Sequence, residues 1–180
     1  MKILASNSTL MVVDVQEKLL PKIFENEELL KNIIWTVDLA QTIGIPIILT
    51  EHCPHKIGTT SFVLREKFNE TDIVSKTFFS AVREGNLLQN IQKERKQIIV
   101  VGTEAHICVQ QTVLDLLEFG YQVFILESGV GTRNPNDKER SLQRMQQNGA
   151  EVITKDMLAF EWLEKAETEL FKKVLNQFIK

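Results

Sequence analysis

Three residues whose side chains can act together in nucleophilic and acid–base chemistry each follow an apolar run. Asp14 comes after "TLMVV", Lys76 after "DIVS", and Cys108 shortly after "IIVV" and Gly102. A carboxylate can accept the proton of a thiol and return it to a leaving group, and an ammonium can hold the two together. The alternative interpretation is structural, with Asp14 and Lys76 as a buried ion pair beside a cysteine that only fills space.

The predicted surroundings of Cys108 also bear on how reactive its thiol is. A free cysteine has a pKa of about 8.5, so only a few per cent is ionised at neutral pH. A place in the first turn of a helix and a lysine ammonium about 4 Å away both favour the thiolate. We therefore expect a lowered pKa for Cys108 and rapid alkylation by iodoacetamide at pH 6, which a packing cysteine would not show. Asp14 then has the role of the base.

The elements that must position these residues alternate between apolar strands and amphipathic helices. We predict six strands, at residues 9–15, 45–50, 72–76, 97–101, 121–126 and 150–154. We predict helices at residues 26–44, 62–68, 86–93, 136–148 and 164–180, and one that begins near residue 108. This pattern indicates an α/β fold: a three-layer, doubly wound, six-stranded parallel sheet of order 3-2-1-4-5-6 with helices on both faces. Ligands of such sheets bind beyond the carboxyl ends of the strands, which is where the three residues lie.

Composition limits the class of protein. The chain has 180 residues and is 43% hydrophobic, which suits a single domain over residues 1–180. No stretch approaches the roughly 18 apolar residues that cross a bilayer, and the start of the chain is typical of a first strand rather than a signal peptide. The net charge of -3 and the pI near 5.7 argue against a nucleic-acid partner. Two cysteines cannot form a disulfide framework, which favours a reducing, cytoplasmic setting.

The segment after Gly102, "TEAHI", must bend sharply before the helix that carries Cys108. Backbone amides in such a turn can point into the cleft and hold a negatively charged oxygen. Other folds with an aspartate after the first strand fit less well, because dehalogenase-like proteins need a carboxylate where Gln16 stands and receiver domains need acidic residues where "MVV" stands. The segment "GVGTRNP" lacks the Gly-Lys-Ser/Thr ending of a phosphate-binding loop.

Several motifs in the same order give the chain a family resemblance that covers nearly its whole length. They are "LMVVDVQEKL", "ILTEHCPHKIGTT", "SKTFFSA", "VVGTEAHICVQQT" and "ERSLQRMQQNGAEVIT". With these motifs the sequence resembles the isochorismatase-like superfamily of cysteine hydrolases. It is most similar to the small isochorismatase-domain proteins of the MAR1 type, which are related to nicotinamidases and N-carbamoylsarcosine amidases.

The resemblance implies a catalytic triad, with Cys108 as nucleophile, Asp14 as base and Lys76 as third member. It also implies a cis peptide bond between Thr103 and Glu104, and an oxyanion hole formed by the backbone amides of Glu104 and Cys108. The function expected from it is hydrolysis of a small molecule at an amide or related C–N bond, through a thioester and without a cofactor. Homo-oligomers are expected as well.

The resemblance departs from the metal-binding members after the second predicted strand. Nicotinamidases bind a divalent metal there through an aspartate and two histidines. Glu51, His52 and His55 are possible ligands here, but they do not have the family's spacing, so we expect no metal.

Further residues are candidates for the pocket wall, and one more cysteine needs an interpretation. The pocket candidates are Gln16, His52, Phe79 and His106. Aromatic residues such as Phe79 are more often core residues than pocket residues, and His106 is more often a hydrogen-bonded spacer than a base. Cys53 is most simply a packing residue, with an oxidation partner for Cys108 as the alternative. The rival function is a non-catalytic, oligomeric, small-molecule-binding protein that keeps the hydrolase pocket.

Overall fold

The computed structural model of the chain describes residues 1–84 and 86–180 and contains one six-stranded parallel sheet. The strands are β1 (Ser8–Val13), β2 (Ile47–His52), β3 (Ile73–Lys76), β4 (Gln97–Thr103), β5 (Gln122–Gly131) and β6 (Glu151–Ile153). Their order is β3-β2-β1-β4-β5-β6, and every neighbouring pair is parallel. The predicted fold class and strand order are confirmed.

Helices cover both faces of the sheet. The α-helices are α1 (Asn26–Ile43), α2 (Pro54–Ile57), α3 (Phe62–Arg65), α4 (Gln110–Glu118), α5 (Pro135–Gln147), α6 (Lys155–Leu163) and α7 (Glu169–Val174). Wider π-type turns occupy Ala105–Val109 and Leu175–Ile179, and single 3-10 turns occupy Ala5–Asn7, Leu20–Lys22, Glu70–Asp72, Ala81–Glu84 and Leu87–Asn90. In residues 1–84 and 86–180, no helix combines the length and apolar character that crossing a bilayer requires.

Two apolar cores lie on opposite sides of the sheet, and alternate residues of each strand supply them. In β4, Ile99 and Val101 pack towards α1, α6 and α7, whereas Ile98 and Val100 pack towards α4 and α5. A strand that is buried on both faces needs apolar residues at every position. This explains why the inner strands are continuous apolar runs rather than alternating patterns.

The structure corrects several element boundaries. The predicted helix at 86–93 is only the 3-10 turn Leu87–Asn90, because just two of its apolar residues, Leu87 and Ile91, are buried. The C-terminal helix begins at Glu169 rather than 164, where the Thr168 side chain accepts a hydrogen bond from the Phe171 amide at 3.0 Å. No bounds were predicted for helix α6, whose apolar residues fill the core between α1 and the sheet.

Strand β5 continues five residues beyond its predicted end at Leu126. The polar residues Glu127 and Ser128 interrupt its apolar run, and its pairing with β4 is irregular there. Pairing resumes at Val130, opposite Gly102. The irregularity brings the loop after β5 next to the turn after β4.

Gly102 allows β4 to approach β1 closely at the carboxyl end of the sheet. Its φ is +145°, a backbone conformation that residues other than glycine rarely adopt. A Cβ added there would lie 2.2 Å from the Val13 carbonyl oxygen. Only glycine therefore fits at the point where the two central strands end together.

We predict that Gly102→Ala lowers the free energy of unfolding by roughly 2 kcal/mol or more, because strain and overpacking both act at this position. The matched control is Gly120→Ala, where φ is +82° but nothing lies within 4 Å of the added Cβ. The control should lose about 1 kcal/mol, the cost of the left-handed backbone alone. Urea unfolding of both variants measures the difference, and equal losses would contradict the close approach of β4 and β1.

Candidate active site

A fully buried ion pair lies at the carboxyl ends of β1 and β3. The Lys76 Nζ atom is 2.7 Å from Asp14 Oδ2, and neither side chain is exposed to solvent. The Thr50 hydroxyl donates to Asp14 Oδ1 at 2.7 Å. Lys76 Nζ also donates to the carbonyl oxygens of Phe78 and Phe79, at 3.2 and 3.0 Å. Each charge is thus paired and further hydrogen-bonded, which is the condition for keeping charges away from water.

The parallel sheet places these groups together. Thr50 of β2 is in register with Val13, so the Asp14 amide, one residue further on, donates to the Thr50 carbonyl at 3.1 Å. On the other side of β1, the Thr103 hydroxyl at the end of β4 donates to the Asp14 carbonyl at 2.5 Å. Asp14 is therefore held by strands on both sides of its own.

Three strand ends at this edge of the sheet turn through left-handed backbone without glycine. The residues are Asp14 after β1, Cys53 after β2 and Glu104 after β4, with φ values of +51°, +42° and +54°. Each such residue costs roughly 1–2 kcal/mol relative to ordinary backbone. Strain of this kind collects at functional sites, where the rest of the fold holds it in place.

Cys108 joins the ion pair from the segment between β4 and α4. Cys108 is 5% exposed and lies close enough to Asp14 and Lys76 for both charges to shift the pKa of its thiol. The structure thus brings together the three residues that the sequence singled out.

Burial raises the pKa of the Cys108 thiol far above its ordinary value, and the negative charge of Asp14 raises it further. The Lys76 ammonium lowers the pKa, but by less. The lowered pKa expected from the sequence is therefore wrong, because that expectation left out burial and the carboxylate. The resting thiol is neutral, so rapid alkylation at pH 6 is no longer expected of it.

The turn that carries the nucleophile differs from the prediction in one respect. The peptide bond between Thr103 and Glu104 is trans, and the predicted cis bond is absent. The chain bends instead through the left-handed backbone of Glu104. The Glu104 carbonyl accepts hydrogen bonds from the amides of Ile107 and Val109, at 2.8 and 3.4 Å, but not from the Cys108 amide between them. The Glu104 amide donates to no backbone carbonyl in the described part of the chain.

The Glu104 side chain enters a charged cluster that the sequence did not reveal. Its Oε1 atom is 2.6 Å from Arg133 Nε, and its Oε2 atom is 3.4 Å from His106 Nδ1. The other ring nitrogen of His106 is 3.9 Å from Asp137 Oδ2. Arg133 was missed because β5 was predicted to end seven residues earlier, which left "GVGTRNP" as an unassigned loop.

Gln16 has a structural role near the site. It is fully buried, and its side-chain amide donates to the carbonyls of His52 and Gly58 at 3.0 and 2.6 Å while accepting from the His52 amide at 2.8 Å. These bonds tie the exit of β1 to the loop after β2.

The aromatic pocket candidates lie at the surface of the chain. The His52 ring stacks on Phe79 with a centroid distance of 5.3 Å and an interplanar angle of 27°. Phe79 is 51% exposed and its neighbour Phe78 is 56% exposed, so the expectation that Phe79 fills the core is wrong. Both rings line a cavity of about 440 Å³ whose wall is formed by Thr77, Phe78, Phe79, Ser80, Arg83, Gln111, Leu114 and Asp115. The carbonyls of the same two phenylalanines bind Lys76, so this cavity adjoins the ion pair without including it.

Glu51, one of the residues considered as a metal ligand, has other partners. Its Oε1 atom accepts hydrogen bonds from the amide and hydroxyl of Thr60, at 2.6 and 2.8 Å, and from Arg65 Nη1 at 2.7 Å. No cluster of three or more His, Cys, Asp or Glu side chains suited to a metal occurs in residues 1–84 and 86–180. The Glu51 carboxylate therefore fastens the loop after β2, and Cys53 in that loop is a free, half-buried thiol.

We predict that Lys76→Met lowers the free energy of unfolding by about 3–5 kcal/mol, because it leaves the Asp14 charge buried without a partner. The matched control is Lys67→Met, which removes a partly exposed pair with Asp38 at 2.8 Å and should lose less than about 1 kcal/mol. Urea unfolding at pH 7 measures both. Similar losses in the two variants would mean that the Asp14–Lys76 pair is not buried as described.

The raised pKa of Cys108 predicts a pH dependence of stability. Above about pH 8.5 the thiol ionises in the unfolded chain but not in the folded one, so the unfolded state becomes more favourable as pH rises. Relative to Cys108→Ser, which has no ionisable group there, the wild type should lose about 1.4 kcal/mol of unfolding free energy per pH unit above this value. Below it, the difference between the two proteins should be constant. Urea titrations from pH 7 to pH 10 test this, and a constant difference throughout would contradict the raised pKa.

Comparison with known proteins agrees with the motifs. A model of the isochorismatase domain matches residues 8–157. Isochorismatase family protein 1B of Dictyostelium discoideum is 34% identical over 179 residues, covering 97% of this chain and 87% of the relative. The structure of the MAR1 ribonuclease of Caenorhabditis elegans is 31% identical with a TM-score of 0.92, covering 100% of this chain and 93% of that one.

A more distant structure has the same fold. YcaC of Escherichia coli, described as an octameric hydrolase of unknown specificity, superposes with a TM-score of 0.92 at 22% identity and covers 99% of this chain and 91% of its own. The segment matched by the domain model includes all six strands and the three residues of the candidate site. The chain therefore belongs to the isochorismatase family of hydrolase-like proteins.

Proposed function

We propose that the protein is a cysteine hydrolase that cleaves an amide or related C–N bond of a small molecule, with Cys108 as nucleophile. The observation that carries this proposal is the place of the Cys108 thiol beside a buried carboxylate that is paired with a buried ammonium. A packing cysteine needs neither charge beside it, and burying both is costly unless the site uses them.

The first step follows from the charges. The neutral thiol passes its proton to Asp14 as its sulfur attacks the carbonyl carbon of the substrate. Because the thiolate is the nucleophile and the pKa of the resting thiol is high, the proton must move to Asp14 together with the attack and not before it. Lys76, fixed by Asp14 and two carbonyls, offsets the negative charge that moves onto the sulfur.

The remaining steps use the same groups. As the S–C bond forms, the electron pair of the C=O bond moves to oxygen, and the amides of Glu104 and Cys108 stabilise that oxyanion. The C–N bond then breaks, and the leaving amine takes the proton from Asp14. Water attacks the thioester, gives a proton to Asp14 and releases the acid, and Asp14 returns that proton to the Cys108 sulfur.

Surface features support a binding region beside this site. The exposed rings of Phe78 and Phe79 and the stacked ring of His52 offer apolar area next to the backbone that binds Lys76. A largely apolar wall with a few polar groups is typical of small-molecule sites.

The proposed setting is a homo-oligomer in a reducing compartment such as the cytoplasm. The described octamer of the Escherichia coli protein supports the oligomer, and two free cysteines support the reducing compartment.

The second candidate is a binding protein that does not turn over its ligand. The small exposure of Cys108 and the raised pKa of its thiol favour this candidate, because a buried neutral thiol is ordinarily inert. Turnover discriminates the two candidates, whereas alkylation of the free protein at pH 6 does not.

We predict that Cys108→Ala abolishes turnover, lowering kcat by about 10⁴-fold or more, while the protein remains folded. Asp14→Asn should lower kcat by about 10²–10⁴-fold, since the thiol loses its proton acceptor. The matched control is Cys53→Ala, which removes the other thiol and should keep its activity. The measurement is ammonia or amine release from a panel of small amides, with circular dichroism to verify folding. Hydrolysis that persists in Cys108→Ala would contradict the proposal.

A further inference from the structure

The Glu104 carboxylate is a charged group that is almost fully buried. Its side chain is 8% exposed, in a residue whose backbone already carries the strain of a left-handed turn. A charged group in this position needs compensation. Glu104 directly follows β4, and only three residues separate it from Cys108, so the orientation of its peptide affects the nucleophile segment directly.

One short charged contact holds this carboxylate. Arg133 Nε lies 2.6 Å from Oε1, whereas the His106 nitrogen lies farther away, 3.4 Å from Oε2. In the described residues no other cation lies within 4 Å of Glu104. Arg133 is therefore the main group that fixes the Glu104 side chain.

Arg133 lies on a loop that hydrogen bonds hold in place. The preceding residue, Thr132, accepts a hydrogen bond from the Phe24 amide at 2.9 Å, and its hydroxyl donates to the Asn134 carbonyl at 2.5 Å. Gly131, one residue earlier, is still paired with Thr103 of β4. A rigid loop beside β4 thus presents the guanidinium to the turn.

This pair does more than compensate a charge. The Arg133 side chain is 56% exposed and the Glu104 side chain is 8% exposed, so the pair balances a buried carboxylate with a solvated guanidinium. The pair also supplies geometry, because it joins the loop after β5 to the residue whose amide has no backbone acceptor.

We infer that Arg133 is a positioning residue: by holding the Glu104 side chain, it aims the Glu104 amide at the oxygen that becomes negatively charged. This inference rests on the proposed function, in which that amide belongs to the oxyanion hole. A small misplacement of a catalytic group can cost up to about 10²-fold in rate, and loss of one oxyanion donor costs about 10²–10³-fold.

Two reagents that modify the Cys108 thiol distinguish this role without any knowledge of the substrate. Acrylamide adds to the sulfur at its terminal carbon, and its carbonyl oxygen becomes negatively charged before the neighbouring carbon takes the thiol proton. Iodoacetamide loses iodide when sulfur attacks its methylene carbon, and its oxygen gains no such charge. Only the acrylamide reaction therefore benefits from an aimed amide donor.

The experiment measures both rates at Cys108 by mass spectrometry of the intact, folded protein, in wild type, Arg133→Met and Arg133→Lys. We expect Arg133→Met to slow the acrylamide reaction about tenfold or more relative to the iodoacetamide reaction, since the donor is misaimed rather than removed. Arg133→Lys should recover part of the ratio, because an ammonium can still contact Glu104. In an amide assay, Arg133→Met should lower kcat and leave KM nearly unchanged.

Two controls make the result decisive. Arg140→Met removes an exposed arginine of α5 whose side chain bonds only to Gln143 in the described residues, and its ratio should equal that of the wild type. Modification of Cys53 in the same samples reports any general loosening of the fold. An unchanged ratio in Arg133→Met, or equal changes with both reagents, would overturn the inference. The amide panel with Cys108→Ala tests the proposed function separately, so the two can fail independently.

Discussion

The buried ion pair between Asp14 and Lys76 is the constraint on which the rest of the site depends. Removing a carboxylate and an ammonium from water costs several kcal/mol for each ion, and only close pairing with further hydrogen bonds compensates for this desolvation cost. The ends of β1, β2 and β3 must therefore align closely enough for Thr50 to reach one carboxylate oxygen and Lys76 the other. The same ammonium fixes the backbone after β3 through two carbonyls, which holds Phe78 and Phe79 at the rim of the site.

Left-handed backbone without glycine also occurs at the same edge of the sheet. Three strand ends turn through it, and Gly102 nearby is needed for the close approach of β4 to β1. Such turns persist only when neighbouring groups hold them. Here the bonds of Gln16, Glu51 and Thr103 fasten the segments that contain them. The edge of the sheet is therefore rigid where the proposed chemistry takes place.

The state of the thiol follows from a balance of two effects. The Lys76 ammonium favours the thiolate, but burial and the Asp14 carboxylate oppose it and prevail. In the proposed reaction this balance is useful, because the proton leaves the sulfur only as the substrate carbonyl takes up the electron pair. The carboxylate beside the thiol is then a proton acceptor rather than an electrostatic partner. A neutral resting thiol also resists unwanted alkylation and oxidation.

The sequence by itself determined the architecture and singled out the residues of the candidate site. Apolar runs separated by helices indicate a parallel sheet, and the carboxyl ends of such strands meet at one edge, so the pattern alone places Asp14, Lys76 and Cys108 near one another. Only the tertiary structure decided the sign of the pKa shift of the thiol, the trans turn at Glu104, the exposure of Phe79 and the contact of Glu104 with Arg133. These features depend on burial summed over many neighbours and on contacts between segments distant in the chain. Sequence patterns contain neither kind of information, because they show which residues are neighbours along the chain and not which atoms are buried together in the fold.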